Sequence, residues 1–560
     1  MGEKTSDLQE AMAAHETDNR HDDVIPEKAS HGLALEAAPM QPTKLNSIGF
    51  ILTMVALALA VFCVALDNVI IVTAIPRITD DFHSVNDIGW YGSAYLLPTC
   101  AFQLVSGKLY SRYSAKWVFM SALIIFEVGS LITALAPTSV AFIVGRAISG
   151  VGAAALFSGA LIIISLLVPP EKAPAFQGIN GAMFGISSVV APLIGGAFTD
   201  YVTWRWCFYI NLPIGGVAGV IVIFFLHIQP PRKTQLPFFQ LLQKFDPLGT
   251  VLFLPSIICL LLVLESGGGD WAWNDWRSIF LLVLFGVLLI AFGVDQFFMG
   301  EDATIPPRIG KQRTVAATSF FILCTFGSFT NNIYFIPLYF QAVKGTTAEG
   351  SGIYMIPLIV SNVVMLLLTG IITSKWGHYV PFFIGCSVLS SIGCGLITTW
   401  DVDTPTGQWV GYQILEGIGT GMALQLPPIA VQSALPNADI STGIATVIML
   451  EFFGAAIFVS VGNNLFNTRL FRSIEALNIP NLDTANVVQS GATTLRQLVP
   501  AEYLQDVLVA YNDSLRWAFR ISLILACLSI LGAVGMEWKK IKGHEKVEHG
   551  VSNGSSTSDN

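Results

Sequence analysis

Fourteen stretches of about 20 apolar residues follow one another along the chain. Each is long enough to cross the ~30 Å hydrocarbon core of a bilayer as a helix. A backbone inside a bilayer must satisfy its own hydrogen bonds, so such stretches pack together as helices. Only 12% of the 560 residues are charged, against roughly 25% in soluble proteins. The sequence therefore predicts an all-α polytopic membrane protein with 14 transmembrane helices. These spans, numbered 1 to 14, are 49–75, 88–107, 117–135, 139–164, 175–199, 207–227, 246–266, 278–299, 314–340, 351–372, 380–399, 408–432, 441–462 and 516–537.

The basic residues of the short loops are divided unequally between the two sides of this bundle. Four lie on the side opposite the termini: Arg77, Arg205, Arg277 and Lys344. Eleven lie on the side of the termini: Lys108, Arg112, Lys116, Lys172, Arg232, Lys233, Lys244, Arg308, Lys311, Arg313 and Lys375. Because basic loops stay in the cytoplasm, both termini are expected there. The long loop 463–515 is then external, and the sequon at Asn512 predicts glycosylation.

The polar parts of the chain exclude several classes of protein. Residues 1–48 carry nine acidic and four basic side chains and no apolar run, which is typical of a disordered cytoplasmic tail. A net charge of −9 offers no basic face to nucleic acid. The eight cysteines stand singly, so neither disulfides nor a metal site is expected. The chain has no Walker A pattern and its spans have no nucleophile–base pair, so ATP drive, a bound cofactor and enzymatic activity are not expected.

Two parts of the chain show weak internal sequence similarity. The loop after span 2 begins at Gly107 and the loop after span 10 at Gly370, with Ser, a base and an aromatic residue at matching positions. Spans 4 and 12 each carry a Gly-X-Gly sequence, beginning at Gly150 and Gly417. Transporters are often built from such repeats, with the binding site between them. The predicted organisation is a tail 1–48, a six-helix half 49–227, a cytoplasmic loop 228–245, a two-helix insert 246–299, a second loop 300–313, a six-helix half 314–537 and a tail 538–560.

Five segments of the chain carry recognisable motifs: 66–76 in span 1, 145–152 in span 4, 181–196 in span 5, 204–215 before span 6 and 337–341 in span 9. Through these segments, residues 49–537 resemble the major facilitator superfamily, specifically its fourteen-span drug:proton antiporters, and most closely fungal toxin-efflux pumps. The loop motif departs from the family, because Ser111 replaces its acidic residue and Ser114 its glycine. The departure removes the acidic member of the motif's charge relay, whereas Gly107, Arg112 and Lys116 remain. The resemblance assigns gating or structural roles to Gly150, Gly181, Gly185, Pro192, Gly195 and Gly196.

Asp67 in span 1 and Arg146 in span 4 are the charges that most need an explanation. They lie about 12 Å and 10 Å from the external ends of their spans at 1.5 Å per residue. Ionisable residues inside a membrane are costly and mark function by default. Burial disfavours an ionised Asp67 and a nearby Arg146 favours it, so motion that separates them changes proton binding. We interpret this pair as a proton-coupling site; a static ion pair joining two helices is the alternative.

Glu451 in span 13 is a second candidate for proton coupling, as a protonatable group or a counter-charge to a cation. A protonated glutamate that bonds two helices is its alternative. Glu416 in span 12 is predicted nearer the outer interface, and Glu127 in span 3 is predicted to be structural. The glycines of span 5 and Pro192 are expected to seal the cavity against proton leak; ordinary helix packing explains them equally. Candidate aromatic residues for an apolar substrate cavity are Tyr95, Phe184, Tyr334, Phe335, Phe452 and Phe453.

The sequence thus predicts a proton-coupled antiporter that exports hydrophobic small organic compounds such as fungal toxins, secondary metabolites or drugs. Its expected partners are a small-molecule substrate, protons and the lipid bilayer, without nucleic acid and without a required oligomer. The plasma membrane is the expected location, and the vacuolar membrane stays open. Two alternative cargoes for the same fold also stay open: vacuolar basic amino acids and siderophores.

Overall fold

The structure is a computed structural model that describes residues 47–84, 87–228, 246–267, 271–480, 482–484, 487 and 495–541. The predicted tails fall almost entirely outside these ranges, as do nearly all of loop 228–245 and part of loop 463–515. The described residues form a bundle of α-helices, and the element order contains no strand within these ranges.

The N-terminal half is built from helices α1 to α8. Spans 2 and 6 each consist of two consecutive helices, α2 with α3 and α7 with α8, and the other spans are single helices. The bounds are α1 Ser47–Phe82, α2 Ile88–Ala101, α3 Gln103–Arg112, α4 Ala115–Leu135, α5 Ser139–Leu167, α6 Ala173–Tyr201, α7 Trp206–Tyr209 and α8 Asn211–Phe225.

The insert and the C-terminal half follow with helices α9 to α20. The insert is α9 Pro247–Ser266 and α10 Trp276–Met299, after which comes the short α11 Pro307–Gly310. The C-terminal half comprises α12 Arg313–Leu338, extended by one π-helical turn to Val343, then α13 Ala348–Tyr354, α14 Ile356–Trp376, α15 Val380–Ile397, α16 Thr406–Gly421, α17 Pro427–Ala434, α18 Ile440–Ala476, α19 Leu495–Leu498 and α20 Leu504–Gly535.

Among the described residues, twelve helices are long and apolar enough to cross a membrane. Spans 2 and 12 are the two predicted spans without such a helix, because each is broken into shorter pieces. Span 12 breaks before Pro427 and Pro428, where proline removes the backbone donors that would continue α16. The count of fourteen crossings therefore stays a prediction.

The helices begin where polar side chains can cap them. The Thr138 side chain accepts from the Ala141 N–H at the start of α5, at 3.3 Å. At the start of α12, Gln312 accepts from the Val315 N–H at 2.8 Å. Asp246 caps α9 by accepting from the Gly249 N–H at 2.7 Å. Each cap satisfies an N–H group that the first helical turn leaves without a partner.

The two halves repeat the same close helix contacts. A Cβ on Gly150 would lie 2.3 Å from the Tyr95 carbonyl oxygen, and one on Gly417 would lie 2.4 Å from the Leu358 carbonyl oxygen. Such distances require glycine, since backbone atoms cannot move aside. The Gly-X-Gly sequences of spans 4 and 12 therefore place equivalent helices in direct backbone contact in each half.

The halves meet along two seams, α3 against α18 and α6 against α14. At the predicted cytoplasmic end the seams are closed. A Cβ on Gly107 would lie 2.3 Å from the Ala445 Cβ, and one on Gly370 would lie 2.7 Å from the Pro174 carbonyl oxygen. Helix α9 of the insert packs against both α2 and α18, so the insert lies across the first seam.

Candidate functional site

Asp67 and Arg146 are in direct contact at the centre of the N-terminal half. Both side chains are buried, and Nη1 of Arg146 lies 2.5 Å from Oδ2 of Asp67. The same nitrogen donates to the Asp67 carbonyl at 3.2 Å, and Nε donates to the Tyr91 carbonyl at 3.1 Å. The guanidinium carbon sits 4.4 Å from the centre of the Tyr95 ring. One arginine thus joins α1, α2 and α5.

Asn211, which the sequence reasoning did not single out, completes this site. Its Nδ2 donates to Oδ1 of Asp67 at 2.9 Å and to Oγ of Ser130 at 3.2 Å. Asn211 is fully buried at the start of α8, inside the 204–215 motif. An amide within an otherwise apolar helix start was the available signal, since a buried polar side chain needs a partner.

A buried ion pair of this kind would link proton binding to helix contact. Protonation of Asp67 would remove its charge and leave the guanidinium of Arg146 buried without a counter-ion. Uncompensated charge in a buried pair costs about 3–5 kcal/mol. The arrangement therefore favours either an ionised pair in contact or a protonated Asp67 with Arg146 moved elsewhere.

The basic loop after span 2 finds acidic partners in the insert, where Ser111 has removed the motif's own acid. Nζ of Lys108 lies 3.9 Å from the Asp246 carboxylate and donates to the Asp302 carbonyl at 3.0 Å. Arg112 pairs with Asp302 at 3.3 Å. Burial lowers the pKa of Lys108 to about 8. The predicted gating residue Lys116 instead donates to the Ile223 carbonyl at 2.5 Å, within its own half.

A second ion-pair cluster joins the end of the insert to the C-terminal half. Arg308 lies 2.5 Å from the Glu301 carboxylate and pairs through two nitrogens with Asp439 at the start of α18. The hydrogen bonds that Arg308 donates to these two carboxylates raise the pKa of Arg308 further above its ordinary value. The insert and the loop after it thus hold charge contacts to both halves.

A small cavity lies between the halves. The N-terminal half lines it with Phe157, Gly181, Phe184, Gly185 and Ser188. From the C-terminal half, its polar lining is Asn362, Gln425 and Glu451, beside Phe452 and several aliphatic and aromatic side chains. Glu451 is the single ionisable side chain of this lining, and no hydrogen bond or ion pair to it is found in the described part of the chain. The cavity suits an apolar ring system with few polar groups.

The Major Facilitator Superfamily model matches residues 57–459, well over half of the chain. The chain belongs to this superfamily. It is 49% identical over 513 residues to the efflux pump aflT of Aspergillus parasiticus, covering 91% of this chain and 99% of that protein. It is 48% identical over 493 residues to the MFS-type efflux pump MFS1 of Trichophyton rubrum, covering 88% and 92%. It is 44% identical over 520 residues to the efflux pump roqT of Penicillium rubens, covering 93% and 96%.

Solved structures agree on the fold of this transporter. The crystallised proton:xylose symporter XylE superposes with a TM-score of 0.56 at 12% identity, covering 89% of this chain and 99% of that one. The likeness confirms the predicted major facilitator fold and carries no information about cargo.

The glycines of span 5 differ from one another in what surrounds them. A Cβ on Gly185 would lie 2.2 Å from Cγ2 of Val363 in the other half, and one on Gly195 would lie 2.3 Å from Oγ1 of Thr73 in α1. Gly181 lies in direct contact with the Gln425 side chain. Gly196 makes no such close approach, because nothing lies within 4 Å of its added Cβ. Pro192 lies inside α6, which continues through it to Tyr201.

Only two of the six predicted cavity aromatics, Phe184 and Phe452, line the cavity. The cause is helical periodicity: in α12 the lining residues are Phe326, Phe329 and Ile333, which share one face. Tyr334 and Phe335 follow that face by 100° and 200°, so Tyr334 is 48% exposed and Phe335 packs on Phe466. The remaining two were also wrongly placed: Tyr95 stacks on Arg146, and Phe453 follows Phe452 by 100° and leaves the lining.

Two further carboxyl side chains pack inside the protein. Glu416 is fully buried and accepts from Nδ2 of Asn332 at 2.6 Å. Glu127 packs on Gly215, whose added Cβ would lie 1.7 Å from Oε1. In both cases a small residue on the neighbouring helix makes room that the sequence alone did not reveal.

The glycosylation prediction at Asn512 is contradicted by the fold. Helix α20 begins at Leu504, so Asn512 lies inside a helix rather than in an external loop. The residue is 1% exposed, and its Nδ2 donates to the Trp400 carbonyl at 3.1 Å. We expect endoglycosidase treatment to leave the mobility of the expressed protein unchanged. A mobility shift that is lost in Asn512→Gln would contradict this placement.

Gly150→Ala should disrupt the N-terminal half. The new Cβ would meet the Tyr95 carbonyl at 2.3 Å, and overpacking of this kind costs about 1–3 kcal/mol or more where backbone must move. We expect a clear fall in the melting temperature and in the yield of monodisperse protein, measured by fluorescence-detected size-exclusion chromatography after heating. Gly196→Ala is the matched control, since its Cβ enters open space and alanine favours the helix by up to about 1 kcal/mol. Equal melting temperatures for the two variants would refute the argument.

Proposed function

We propose that this transporter is a proton-coupled antiporter that exports hydrophobic small organic compounds, of the class of fungal toxins, secondary metabolites or drugs. The observation that carries the proposal is the buried Asp67–Arg146 pair, which ties a titratable group to the contact between α1 and α5. The aromatic cavity between the halves supports the choice of cargo. The relatives aflT, MFS1 and roqT, named as efflux pumps, support the direction of transport.

In the proposed cycle the external side supplies the proton. With the seams closed at the cytoplasmic end, cargo leaves the cavity and Asp67 takes up a proton. Arg146, left without a counter-ion, favours the rearrangement that opens the cytoplasmic end. Asp67 then releases its proton to the cytoplasm, the ionised pair re-forms and new cargo enters.

Glu451 is proposed as a second protonatable group, whose protonation depends on what the cavity holds. Its carboxyl lines the cavity without a polar partner among the described residues. A protonated carboxyl suits an empty or apolar-filled cavity, because an isolated buried charge is costly. A cationic cargo would instead favour the ionised form.

The experiment that tests the function uses the full chain in sealed proteoliposomes. With pyranine inside and an imposed pH gradient, uptake of tritiated 1-pyrenemethanol is measured by filtration while pyranine reports proton movement. We expect cargo accumulation against its gradient, coupled to proton counter-movement, and collapse of both with a protonophore. Accumulation that is independent of the pH gradient would refute proton coupling, and proton movement without any cargo movement would refute export.

We further propose that the protein sits in the plasma membrane with both termini in the cytoplasm, from the unequal distribution of basic loop residues. Tags at either terminus should resist external protease in intact fungal cells and become sensitive once the cells are permeabilised. Digestion of both tags from outside would invert the topology.

A further inference from the structure

Span 12 is interrupted beside the cavity. Helix α16 ends at Gly421 and α17 begins at Pro427, with residues 422–426 forming the break. Interrupted helices at the midpoint of transporters supply polar groups to substrates, because their backbone and side chains are released from regular helix packing. Gln425 lies within this break and reaches the cavity wall.

The side chain of Gln425 occupies space that only glycine leaves free. A Cβ on Gly181 would lie 2.3 Å from Cγ, 2.7 Å from Cδ and 2.9 Å from Nε2 of Gln425. The amide therefore rests directly on the α6 backbone of the opposite half. Gly181 was assigned to helix packing or to sealing against proton leak, and the contact gives it an additional role.

The side-chain amide of Gln425 has no hydrogen-bond partner among the described residues. The other neutral polar residues of the lining are engaged: Nδ2 of Asn362 donates to Thr420 at 2.9 Å, and Oγ of Ser188 donates to the Phe184 carbonyl at 3.0 Å. For Gln425, no hydrogen bond is found within the described ranges. A polar group in an apolar site favours a ligand that completes its hydrogen bonds.

The rings and the charge around this amide restrict that ligand further. Phe157 makes edge contacts with both Phe184 and Phe452, at centroid distances of 6.4 and 5.6 Å. The carboxyl of Glu451 shares the cavity, and no basic side chain lines it. A carboxylate ligand would therefore be left there without a counter-charge.

We propose that Gln425 is a cargo-recognition residue, which hydrogen-bonds the hydroxyl or carbonyl of an uncharged aromatic compound, while the lack of a basic side chain in the lining disfavours anions. The inference deepens the proposed export function and rests on it for the identity of the ligand as cargo. The ring system packs among the phenylalanines, and the amide selects among ring systems by their polar group.

Four pyrene derivatives test this on the purified full chain, by fluorescence anisotropy at pH 7. They share one ring system and differ in polar group: pyrene, 1-pyrenemethanol, 1-pyrenemethylamine as its cation and 1-pyrenecarboxylate. A neutral hydrogen bond predicts that 1-pyrenemethanol binds about fivefold tighter than pyrene. Pyrenecarboxylate should bind more weakly than pyrene, because no basic side chain of the lining balances its charge.

Gln425→Leu should remove the preference for the hydroxyl, while continued binding of pyrene reports an intact cavity. Gly181→Ala should remove the same preference with Gln425 still present, because the new Cβ displaces the amide. Gly196→Ala is the matched control in the same helix and should retain the preference. Retention of the fivefold preference in Gln425→Leu, or failure of the wild type to discriminate among the neutral probes, would overturn the inference.

These outcomes separate the inference from the proposed function. If 1-pyrenemethanol binds with the expected preference but proteoliposomes show no proton-coupled movement of it, the export mechanism fails and the recognition site stands. If proton-coupled movement is intact and Gln425→Leu still prefers the hydroxyl, the function stands and the recognition role of Gln425 is refuted.

Discussion

Asp67→Asn is expected to abolish pH-driven accumulation of cargo while cargo binding persists. Asparagine has the size of a protonated aspartate but never releases a proton, so the cycle stops after the external step. The site can accommodate the change: Oδ1 of Asn211 has no partner in the structure. Rotation of the Asn211 amide would let that oxygen accept from the new side-chain N–H.

The measurement combines two readouts on one preparation. Binding of 1-pyrenemethanol should stay within about threefold of wild type from pH 5.5 to 8, a difference of less than 0.7 kcal/mol. Uphill movement in proteoliposomes should disappear, while slow downhill exchange continues. Asp67→Glu should keep partial activity, since it retains a titratable carboxyl in a tightly packed site. Wild-type accumulation by Asp67→Asn would exclude Asp67 as the essential proton carrier and move the coupling role to Glu451.

Arg146→Ala is expected to have the largest effect on stability and to eliminate coupling. It leaves Asp67 buried beside the Asn211 amide as its remaining side-chain partner, and removal of one member of a buried pair costs about 3–5 kcal/mol. It also removes the contacts to Tyr91 and to the Tyr95 ring. We expect a marked fall in melting temperature together with loss of pH-driven transport.

Two further variants separate charge from packing. The double variant Asp67→Asn with Arg146→Gln removes both charges, so it should recover much of the melting temperature but no coupling. Arg516→Ala is a surface control: its pair with Asp513 is 33% and 59% exposed, and exposed pairs contribute about 0–1 kcal/mol. Normal proton-coupled transport by Arg146→Ala would show that the pair serves only to hold helices together.

The parts of this structure that could be predicted from sequence are those governed by local pattern. Apolar runs located the helices because a bilayer demands them, and the depth of Asp67 and Arg146 along their own helices placed both at one level. What pattern could not supply was rotation about a helix axis. Neighbouring residues such as Phe452 and Phe453 are indistinguishable by composition, yet only the first reaches the cavity. Asn211 and Gln425 were missed because their roles depend on residues more than 100 positions away, Asp67 and Gly181.

Helix breaks and loop lengths were the other features that the sequence could not predict. The polarity of residues 463–515 predicted one long external loop. In the structure α18 extends to Ala476 and α20 begins at Leu504, so much of this segment is helical. Helices that continue beyond the hydrocarbon region become polar without ending. The sequence around Asn512 therefore matches the glycosylation pattern, although the Asn512 side chain is buried and hydrogen-bonded to the Trp400 carbonyl.

Helix α9 contacts both α2 and α18, and this has a mechanical consequence. When the cytoplasmic end opens, α2 and α18 must separate while α9 touches both, so α9 must slide along one of them. Its ionic anchors are unequal: Lys108 and Asp246 are almost completely buried, whereas Arg308 is half exposed. We therefore expect the insert to stay with the N-terminal half during opening, while the more exposed Arg308 contact breaks and re-forms. Substitutions at Arg308 would then change the rate of opening without altering the cavity or the Asp67–Arg146 pair.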